Sequence, residues 1–469
     1  MIRSLKCLGF VLLLVTLIPT SQARAADSRP NVLFIAIDDL RDWVGFLGDT
    51  QTKTPNLDRL ATRGMKFTRS YCAAPVCNPS RTALLTGMRP GSTGVYNNNI
   101  DWREAVPDVV TLPQHFKQNG YFVAAAGKIS HDSFKRLSDW DDYLNQKGGG
   151  VKDDVGGVDG IRFGAIDADD DDMPDAKSVK YISEHLAKKQ DKPFFLACGF
   201  KKPHMPFSVP KKYFDQFPLD SIKLPDVKVD DLKDIPPAGL KMAKADGDHA
   251  AIVKSGRWKE AVQAYLATIS FMDTMLGRLL DNFDRSPHRD NTIIVLWSDH
   301  GWHLGEKEHW RKFALWEEAT RAPLIWSVPK LTPTSSTCER PVDFLHIYPT
   351  LCDLCGLPTP KHLQGRSIRS LLRDPKAEWS QPAITTHEFK NHAVRTERWR
   401  FIRYANGDEE LYDHDADPHE WTNLASDAKL ASVKSDLAKL LPTENVPPGK
   451  KSEAEAKVKQ KAKAKKKNQ

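Results

Sequence analysis

Four segments of the chain are almost wholly apolar and end abruptly at charged residues, as buried strands do. Between them lie longer stretches in which apolar residues recur about every three to four positions, the period of an amphipathic helix. The strand segments are residues 31–37, 121–127, 193–200 and 291–298. Strands alternating with helices predict an α/β fold with a large, mostly parallel or mixed sheet sandwiched by helices.

The pattern changes beyond residue 375 to short alternations of polar and apolar residues. These predict a smaller C-terminal subdomain with a short antiparallel sheet, closed by a helix around residues 423–441. The predicted organisation is a signal peptide at 1–25, a catalytic domain at 26–375, the subdomain at 376–446 and a lysine-rich disordered tail at 447–469.

The first 25 residues have the features of an export signal. Arg3 and Lys6 precede a short apolar run, and the small-x-small sequence at 23–25 suits cleavage. No later run approaches the ~18 apolar residues of a membrane span, so no transmembrane segment is expected. The lack of an Asn-x-Ser/Thr site, with x other than proline, favours a bacterial setting. We expect a periplasmic or secreted protein.

The net charge of +7 belongs to the chain ends and not to its body. Residues 450–469 carry nine lysines and two glutamates, and the signal adds three basic residues, which leaves about −3 for the remainder. The basic balance therefore indicates no nucleic-acid partner. A 40% hydrophobic and 28% charged composition is that of a globular protein and excludes a disordered or fibrous one.

Cysteine is scarce, with six residues left after Cys7 departs with the signal. Six in such a long exported chain do not make a disulfide scaffold. Cys352 and Cys355 form a CxxC pattern that a redox or zinc site could use. The pattern lies in an apolar helical stretch without a second CxxC, which favours buried helix cysteines or a single disulfide.

Charged residues follow all four predicted strands. One such aspartate is usually a turn or helix cap, but four charged strand ends predict one shared cleft at the carboxyl edge of the sheet. Three aspartates together require a cation, and oxygen ligands suit Ca²⁺ or Mg²⁺. A histidine is an awkward calcium ligand, so His300 could instead donate to a bound anion. The residues concerned are Asp38 and Asp39, Lys128 and His131, His204, and Asp299 and His300.

The sequence CNPSRTALLTG at 77–87 predicts a short helix at the same cleft. Asn78 suits the N-cap, Pro79 the first helical position and Gly87 the exit. Cys77 would then lie at the positive end of the helix, with Arg81 on its first turn. Cys77 is either a nucleophile held against an anion or a small buried residue in a helix-entry turn. A cation among basic groups is typical of a site for a tetrahedral oxyanion, sulfate or phosphate.

The chain resembles the type I sulfatases. The resemblance begins with Cys77, Pro79, Ser80 and Arg81 and the following Thr-Gly at 86–87. It continues over nearly all of the mature chain in NVLFIAIDDL, TPNLDRLATRGMKFTRSYCAAPVC, AAGKISHD, KPHMPF, SDHGWHLGEKEHW and ELYDHDADPHEWTNLA. These blocks are most similar to the iduronate-2-sulfatase branch. The resemblance implies an alkaline-phosphatase-like fold and a sulfuric ester hydrolase.

It also implies a formylglycine made from Cys77 and one calcium ion. The implied calcium ligands are Asp38, Asp39, Asp299, His300 and the modified Cys77. The implied partners are a sulfated carbohydrate and a formylglycine-generating or anaerobic sulfatase-maturing enzyme.

The resemblance assigns the remaining catalytic and substrate-binding roles to basic residues. Arg81 and Lys128 would hold the hydrated aldehyde and the sulfate. His131 would take a hydroxyl proton when the aldehyde is regenerated. His204 and Lys312 would contact the ester oxygen and help it leave. One hydroxyl of the hydrate would attack sulfur, and the other would let elimination expel sulfate, a route closed to a serine or cysteine ester.

The leading expectation is hydrolysis of iduronate or a related uronate 2-O-sulfate in a sulfated polysaccharide. Two alternatives remain open: a phosphonate or phosphate ester hydrolase of the same superfamily, and a non-catalytic protein that binds sulfated glycans.

Three peripheral features remain open to two readings, and a fourth has one. Trp302 either borders the sugar subsite as a substrate-binding residue or packs in the core. Residues 148–172 either form an exposed acidic loop, which is favoured because the aspartates lack a regular ligand spacing, or bind a second cation. Residues 218–248 are expected on the surface near the cleft mouth. Arg395 and Arg398 either meet an acidic glycan or pair with acids.

Overall fold

The computed structural model of the protein describes residues 29–144, 151 and 155–450. The predicted signal peptide, nearly all of the lysine-rich tail and part of the acidic loop lie outside these residues. Within them, no helix combines the length and the apolar character that crossing a bilayer requires.

The main sheet has eight strands within the described residues. They are β1 (Asn31–Asp38), β2 (Met65–Phe67), β3 (Phe122–Gly127), β4 (Asp142–Leu144), β5 (Phe194–Pro203), β6 (Thr292–Ser298), β7 (Leu324–Ser327) and β8 (Ser336–Cys338). Their order is β8-β2-β7-β6-β1-β5-β3-β4. Strands β6, β1, β5, β3 and β4 are parallel, whereas β7 is antiparallel to both of its neighbours. The four predicted strands are thus adjacent at the centre, and the mixed α/β fold is confirmed.

Strand β1 shows why the sheet needs helices on both faces. Val32, Phe34 and Ala36 belong to one hydrophobic cluster, Ile35 and Ile37 belong to another, and all five are fully buried. Successive side chains of a strand point to opposite faces, so a continuous apolar run requires cover on each side.

Helices supply that cover. The principal ones are α1 (Pro55–Thr62), α2 (Cys77–Thr86), α3 (Leu112–Gln118), α4 (Pro174–Ala187), α5 (Trp258–Asp284) and α6 (Ile347–Leu354). Helices α1, α4 and α5 pack on the Ile35 face, and α2, α3 and α6 pack on the Phe34 face. Further α-helices lie at Pro90–Thr93, Trp102–Ala105, Lys211–Phe214, Pro237–Ala243, Asp248–Ser255, Glu317–Thr320 and Arg369–Arg373.

The predicted C-terminal antiparallel sheet is present. Its strands are β9 (Ala383–Thr386), β10 (His392–Arg395), β11 (Trp399–Arg403) and β12 (Glu409–Asp413), paired in sequence order. Helix α7 (Ala431–Ala438) covers one face and is shorter than the predicted helix. The other face packs on Trp316 and its neighbours. The chain then returns to the main domain, where the Gly449 amide donates to the Gly94 carbonyl at 3.0 Å, so the first residues of the predicted tail are packed.

A buried ionic network joins the C-terminal sheet to the main domain. Arg400 on β11 pairs with both Glu317 and Glu420, and His414 Nε2 lies 2.9 Å from Glu420 Oε1. The Tyr71 hydroxyl donates to Glu317 at 2.9 Å. Removing one partner of a buried ion pair leaves the other charge buried and unpaired, which is strongly destabilising. This network therefore stabilises the contact between the C-terminal sheet and the main domain.

Arg395 and Arg398 both meet acids. Arg395 Nε lies 3.5 Å from Glu317 Oε2, and Arg398 pairs with Asp413 through two hydrogen bonds of 2.8 and 2.6 Å. All six cysteines beyond the predicted signal peptide are unpaired and buried, and Cys352 and Cys355 belong to the core under α6.

The expectation of an exposed acidic loop holds for most of its described aspartates, which are exposed, but the segment is anchored to the core. Gly157–Val158 pairs with Ile161–Arg162 in a small hairpin, and Ile161 and Phe163 are buried in the main core. Asp170 is buried and pairs with Arg278 at 2.8 Å. Apolar residues scattered among the aspartates anchor this segment, a feature that its acidic composition concealed. The 218–248 segment is likewise anchored through Ile235 and Ala243.

Candidate active site

The carboxyl ends of the four central strands meet in one buried cluster of charges. Asp38 ends β1, and Asp299 and His300 follow β6. Lys128 follows β3, and His204 follows β5. The three aspartates, Asp38, Asp39 and Asp299, are fully buried, and the strand ends converge as expected.

Asp38 is held ionised by two cations. Lys128 Nζ donates to Asp38 Oδ2 at 2.5 Å, and an Arg81 terminal nitrogen lies 3.3 Å from Oδ1. Burial alone would raise the pKa of this carboxyl, but Lys128, His204 and Arg81 outweigh it and hold the pKa well below its usual range. The pKa of Lys128 is raised in return, because Asp38 outweighs the opposing effect of burial.

Asp39 turns back toward Asp299 through a left-handed backbone conformation, with φ of 63°. Its amide donates to Asp299 Oδ1 at 3.0 Å, and its Oδ1 accepts from Lys312 Nζ at 2.6 Å. Its Oδ2 is buried without a hydrogen-bond partner among the described residues. An orphaned carboxylate oxygen in a dry site is unfavourable unless something absent from the protein atoms binds it.

Cys77 lies at the centre of the cluster. Its Sγ is 3.1 Å from Lys312 Nζ, 3.4 Å from His300 Nε2 and 3.8 Å from Asp39 Oδ1. Burial raises the pKa of the thiol to about 12, and the nearby lysines only partly offset it. As a free thiol, Cys77 is therefore protonated at neutral pH and a weak nucleophile.

Helix α2 begins two residues earlier than predicted, and Asn78 is not its N-cap. The helix starts at Cys77 with Val76 as cap, and the Ser80 amide donates to the Val76 carbonyl at 3.0 Å. Pro79 is the third helical residue, still within the turn whose N–H groups lack helical partners. The exit at Gly87 is confirmed, with φ of 70°. Cys77 remains at the positive end of the helix.

Asn78 instead forms hydrogen bonds with a neighbouring loop, residues 97–100. Its side-chain amide donates to the carbonyls of Asn97 at 3.0 Å and Ile100 at 2.8 Å, and its backbone amide donates to Asn98 Oδ1 at 2.9 Å. These partners lie about twenty residues away, so the local motif held no sign of them.

Arg81 bridges two aspartates from different strands. Its Nε donates to Asp299 Oδ2 at 2.8 Å, and its terminal nitrogens reach Asp38 and the carbonyls of Ile37 and Ile129. The guanidinium is buried, and Asp299 raises its pKa against the effect of burial. Asp299 has a raised pKa, because burial outweighs Arg81.

His131 and His204 are neutral at neutral pH. Burial and Lys128 lower the pKa of His131 to about 4, and burial lowers the pKa of His204 to about 4 despite Asp39. His204 Nε2 lies 3.8 Å from Asp39 Oδ2, and its side chain is 30% exposed, more than the other groups of the cluster. The electrostatic neighbours of His131 are Lys128, Asp132, Asp38 and Arg81, which places this histidine beside the cluster.

Trp302 lies beneath the site. It is 1% exposed, packs against Phe207 with ring centroids 5.7 Å apart, and has Lys312 Nζ 5.4 Å from its ring. This position favours packing over direct contact with a sugar.

Several positioning residues carried no recognisable sequence signal. The Tyr265 hydroxyl, inside helix α5, donates to the Asp39 carbonyl at 2.7 Å, and Ser298 Oγ accepts from the Leu40 amide at 3.0 Å. A Cβ on Gly199 would lie 2.5 Å from the Lys128 backbone, so glycine is needed for the close approach of β5 to that lysine. Tyr265 looked like one more apolar helix position.

The donor set fits a hard cation. Ligand atoms of Asp39, Cys77, Asp299 and His300 lie within 4.8 Å of one another, and a second group unites Asp38, Asp39 and His204. His300 Nδ1 donates to the Gly301 carbonyl at 3.0 Å, which leaves the lone pair on Nε2 facing this group. The orphaned Asp39 Oδ2 points to the same conclusion.

Two known protein-family models together match most of the chain. The family described as "Sulfatase" matches residues 30–357, and "N-sulphoglucosamine sulphohydrolase, C-terminal" matches residues 305–446.

Two relatives and one solved structure illustrate the similarity. A "Sulfatase" of Formosa agariphila is 41% identical over 90% of this chain and 88% of its own. Human "Iduronate 2-sulfatase" is 30% identical over 94% of this chain and 98% of its own. The phosphonate monoester hydrolase of Agrobacterium radiobacter is 24% identical, with a TM-score of 0.75, over 88% of this chain and 94% of its own. This last likeness shows the fold alone.

The variant Asn78→Asp tests whether Asn78 binds the neighbouring loop, as observed, or caps helix α2. Aspartate caps helices as well as asparagine does, so a cap would tolerate it. We expect it instead to lower the free energy of unfolding by about 2 kcal/mol, because aspartate cannot donate to the two buried carbonyls. Urea unfolding of the variant in a Cys77→Ser background, against Cys77→Ser alone, measures this. Equal stability would restore the N-cap assignment.

Proposed function

The chain belongs to the sulfatase family, and on that premise we propose that it removes 2-O-sulfate from iduronate or a related uronate in a sulfated polysaccharide. The observation that carries the proposal is Cys77, at the start of a helix and enclosed by buried aspartates and lysines. Similarity to human iduronate 2-sulfatase over nearly the whole chain supports the uronate 2-O-sulfate as substrate.

We propose that a maturing enzyme, formylglycine-generating or anaerobic, converts Cys77 into formylglycine. The protonated, buried thiol is unsuited to attack at neutral pH, which supports a need for conversion. The hydrated aldehyde would supply the oxygen that attacks sulfur, in place of the thiol.

We further propose that Asp38, Asp39, Asp299 and His300, with the modified residue 77, hold one calcium ion. Four of these five groups are carboxylates or the modified side chain, which suits an ion that prefers oxygen. When bound, the ion would offset the negative charge of the sulfate and of the carboxylates.

Arg81, Lys128 and Lys312 would bind the sulfate and stabilise its negative charge. Arg81 and Lys128 are held rigidly by Asp38 and Asp299, so their charges need no reorganisation as negative charge grows on the sulfuryl oxygens. Lys312 Nζ reaches residue 77 and bears a raised pKa, since Asp39 and its neighbours outweigh burial, so it stays charged while it contacts the sulfate.

The two histidines would handle protons. With pKa values of about 4, both are neutral at neutral pH and can accept a proton. His131, beside Lys128, would take the hydroxyl proton at residue 77. His204 lies at the more exposed side of the cluster, where the sugar oxygen would leave, and would contact that oxygen together with Lys312.

A substrate panel tests the proposed reaction. It comprises a disaccharide with a 2-O-sulfated uronate, a 6-O-sulfated glucosamine, 4-nitrophenyl sulfate and an aryl phosphonate. We expect the uronate ester to have the highest kcat/KM, and Cys77→Ala to lower that value by at least about three orders of magnitude. Cys198→Ala, at a buried cysteine within β5, is the matched control and should retain activity.

Three results of this panel would count against the proposal. Faster hydrolysis of the phosphonate would favour the ester-hydrolase alternative. Binding of sulfated glycans without turnover of any ester would favour a binding protein. Full activity in Cys77→Ala would refute the role of residue 77.

Calcium should stabilise the folded protein through Asp39. After treatment with EDTA, adding calcium at about 100 times its Kd should add about 2.7 kcal/mol to the free energy of unfolding. Asp39→Asn should abolish this gain because it removes the orphaned carboxylate charge, whereas Asp436→Asn, on the exposed helix α7, should keep it. Thermal melting with and without calcium measures the effect, and an equal gain in Asp39→Asn would contradict the ligand assignment.

A further inference from the structure

A second cavity, of about 610 Å³, lies between the C-terminal subdomain and the helix Pro237–Ala243. It is large enough for one or two sugar rings and falls within the range of small-molecule sites. Lys241, Lys244, Phe313, His387, Glu388 and Phe389 contribute to its lining.

This cavity shares its inner wall with the candidate active site. Phe313 directly follows Lys312, whose Nζ contacts Cys77, and the Phe313 amide donates to the Pro75 carbonyl at 3.2 Å. On the other side, the Thr386 amide, next to His387, donates to the Ala73 carbonyl at 2.9 Å. The backbone that leads into Cys77 therefore also supports the cavity wall.

A contact at the rim of the cavity also connects it to the surroundings of Cys77. The ring of Phe389 packs edge-on against Tyr96, with centroids 5.9 Å apart. Tyr96 is followed by Asn97 and Asn98, which bind Asn78 next to Cys77. The loops that position Cys77 and Asn78 therefore also support the rim of this cavity.

The charge of the cavity favours an anion. Lys241 and Lys244 are both exposed, and neither has an ion pair within the described part of the chain. Lys128 and Lys312 in the sulfate site, by contrast, are buried against Asp38 and Asp39. Glu388 is the one carboxylate of the described lining, so the cavity carries an excess of positive charge.

The remaining lining suits a sugar unit. Phe313 and Phe389 contribute aromatic surface to the lining, against which the apolar side of a sugar can pack. His387 is 8% exposed, and its Nδ1 has no hydrogen-bond partner among the described residues. Phe313, Lys244 and Glu388 all have positive φ, of 76°, 51° and 58°, a costly conformation that clusters at binding sites.

We propose that this cavity binds the sugar unit adjacent to the sulfated residue, and that Lys241 and Lys244 pair with an anionic group on that unit. The proposal rests on the proposed function and narrows its substrate to an oligosaccharide charged on two neighbouring units. The anionic group is a sulfate or a carboxylate, which share the chemistry that the two lysines would recognise.

Three disaccharides test the cavity. They share a 2-O-sulfated uronate and carry a sulfate, a carboxylate or no charge on the neighbouring unit. We expect kcat/KM of the wild type to be higher for a charged neighbour, and Lys241→Met and Lys244→Met each to lower it about tenfold, mainly through KM. Turnover of the neutral disaccharide and of 4-nitrophenyl sulfate should stay unchanged. Lys439→Met, at an exposed lysine beyond helix α7, is the matched control.

Binding measurements make the test independent of turnover. In a Cys77→Ala background, calorimetry should show about tenfold weaker binding of the charged disaccharide when Lys241 and Lys244 are both replaced by methionine. Equal affinity, or an equal loss for neutral and charged disaccharides, would overturn the cavity assignment. A wild type that binds the charged disaccharide through these lysines but hydrolyses no sulfate ester would refute the proposed function and leave the cavity standing.

Discussion

The buried charge cluster at the ends of the central strands is the constraint on which the rest of the structure depends. Burying ionised carboxylates is costly unless each is paired. Here Asp38 meets Lys128 and Arg81, and Asp39 meets Lys312. Each partner is carried by a different strand or loop, so the sheet must close correctly before any pair can form. The residue that the cluster surrounds is thereby placed before substrate arrives.

The same cluster supports the proposed modification of Cys77. The site is built for negative charge on oxygen: a helix start, an arginine and two lysines converge there. Burial nevertheless raises the pKa of the thiol, so the local cations do not produce a thiolate at neutral pH. A polar oxygen at this position would use the surrounding donors better than a protonated sulfur does.

Much of the fold was predictable from local pattern, because parallel central strands are buried on both faces and read as continuous apolar runs. The site residues were predictable because strand ends converge by topology, and the family motif added Lys312. The predictions that were wrong or incomplete concern features that depend on contacts between residues far apart in the sequence. Asn78 binds carbonyls about twenty residues away instead of capping α2, and the 155–172 segment is anchored by Phe163 among aspartates. Tyr265 was hidden inside an apolar helix.

The state of residue 77 in active protein is the most direct test of the account. Mass analysis of the peptide that contains residues 77–81, taken from protein of known sulfatase activity, distinguishes an aldehyde from a thiol. The account predicts that the fraction of peptide carrying formylglycine rises in proportion to specific activity across preparations made with and without a maturing enzyme. Full activity in a preparation whose residue 77 is entirely an unmodified thiol would contradict it.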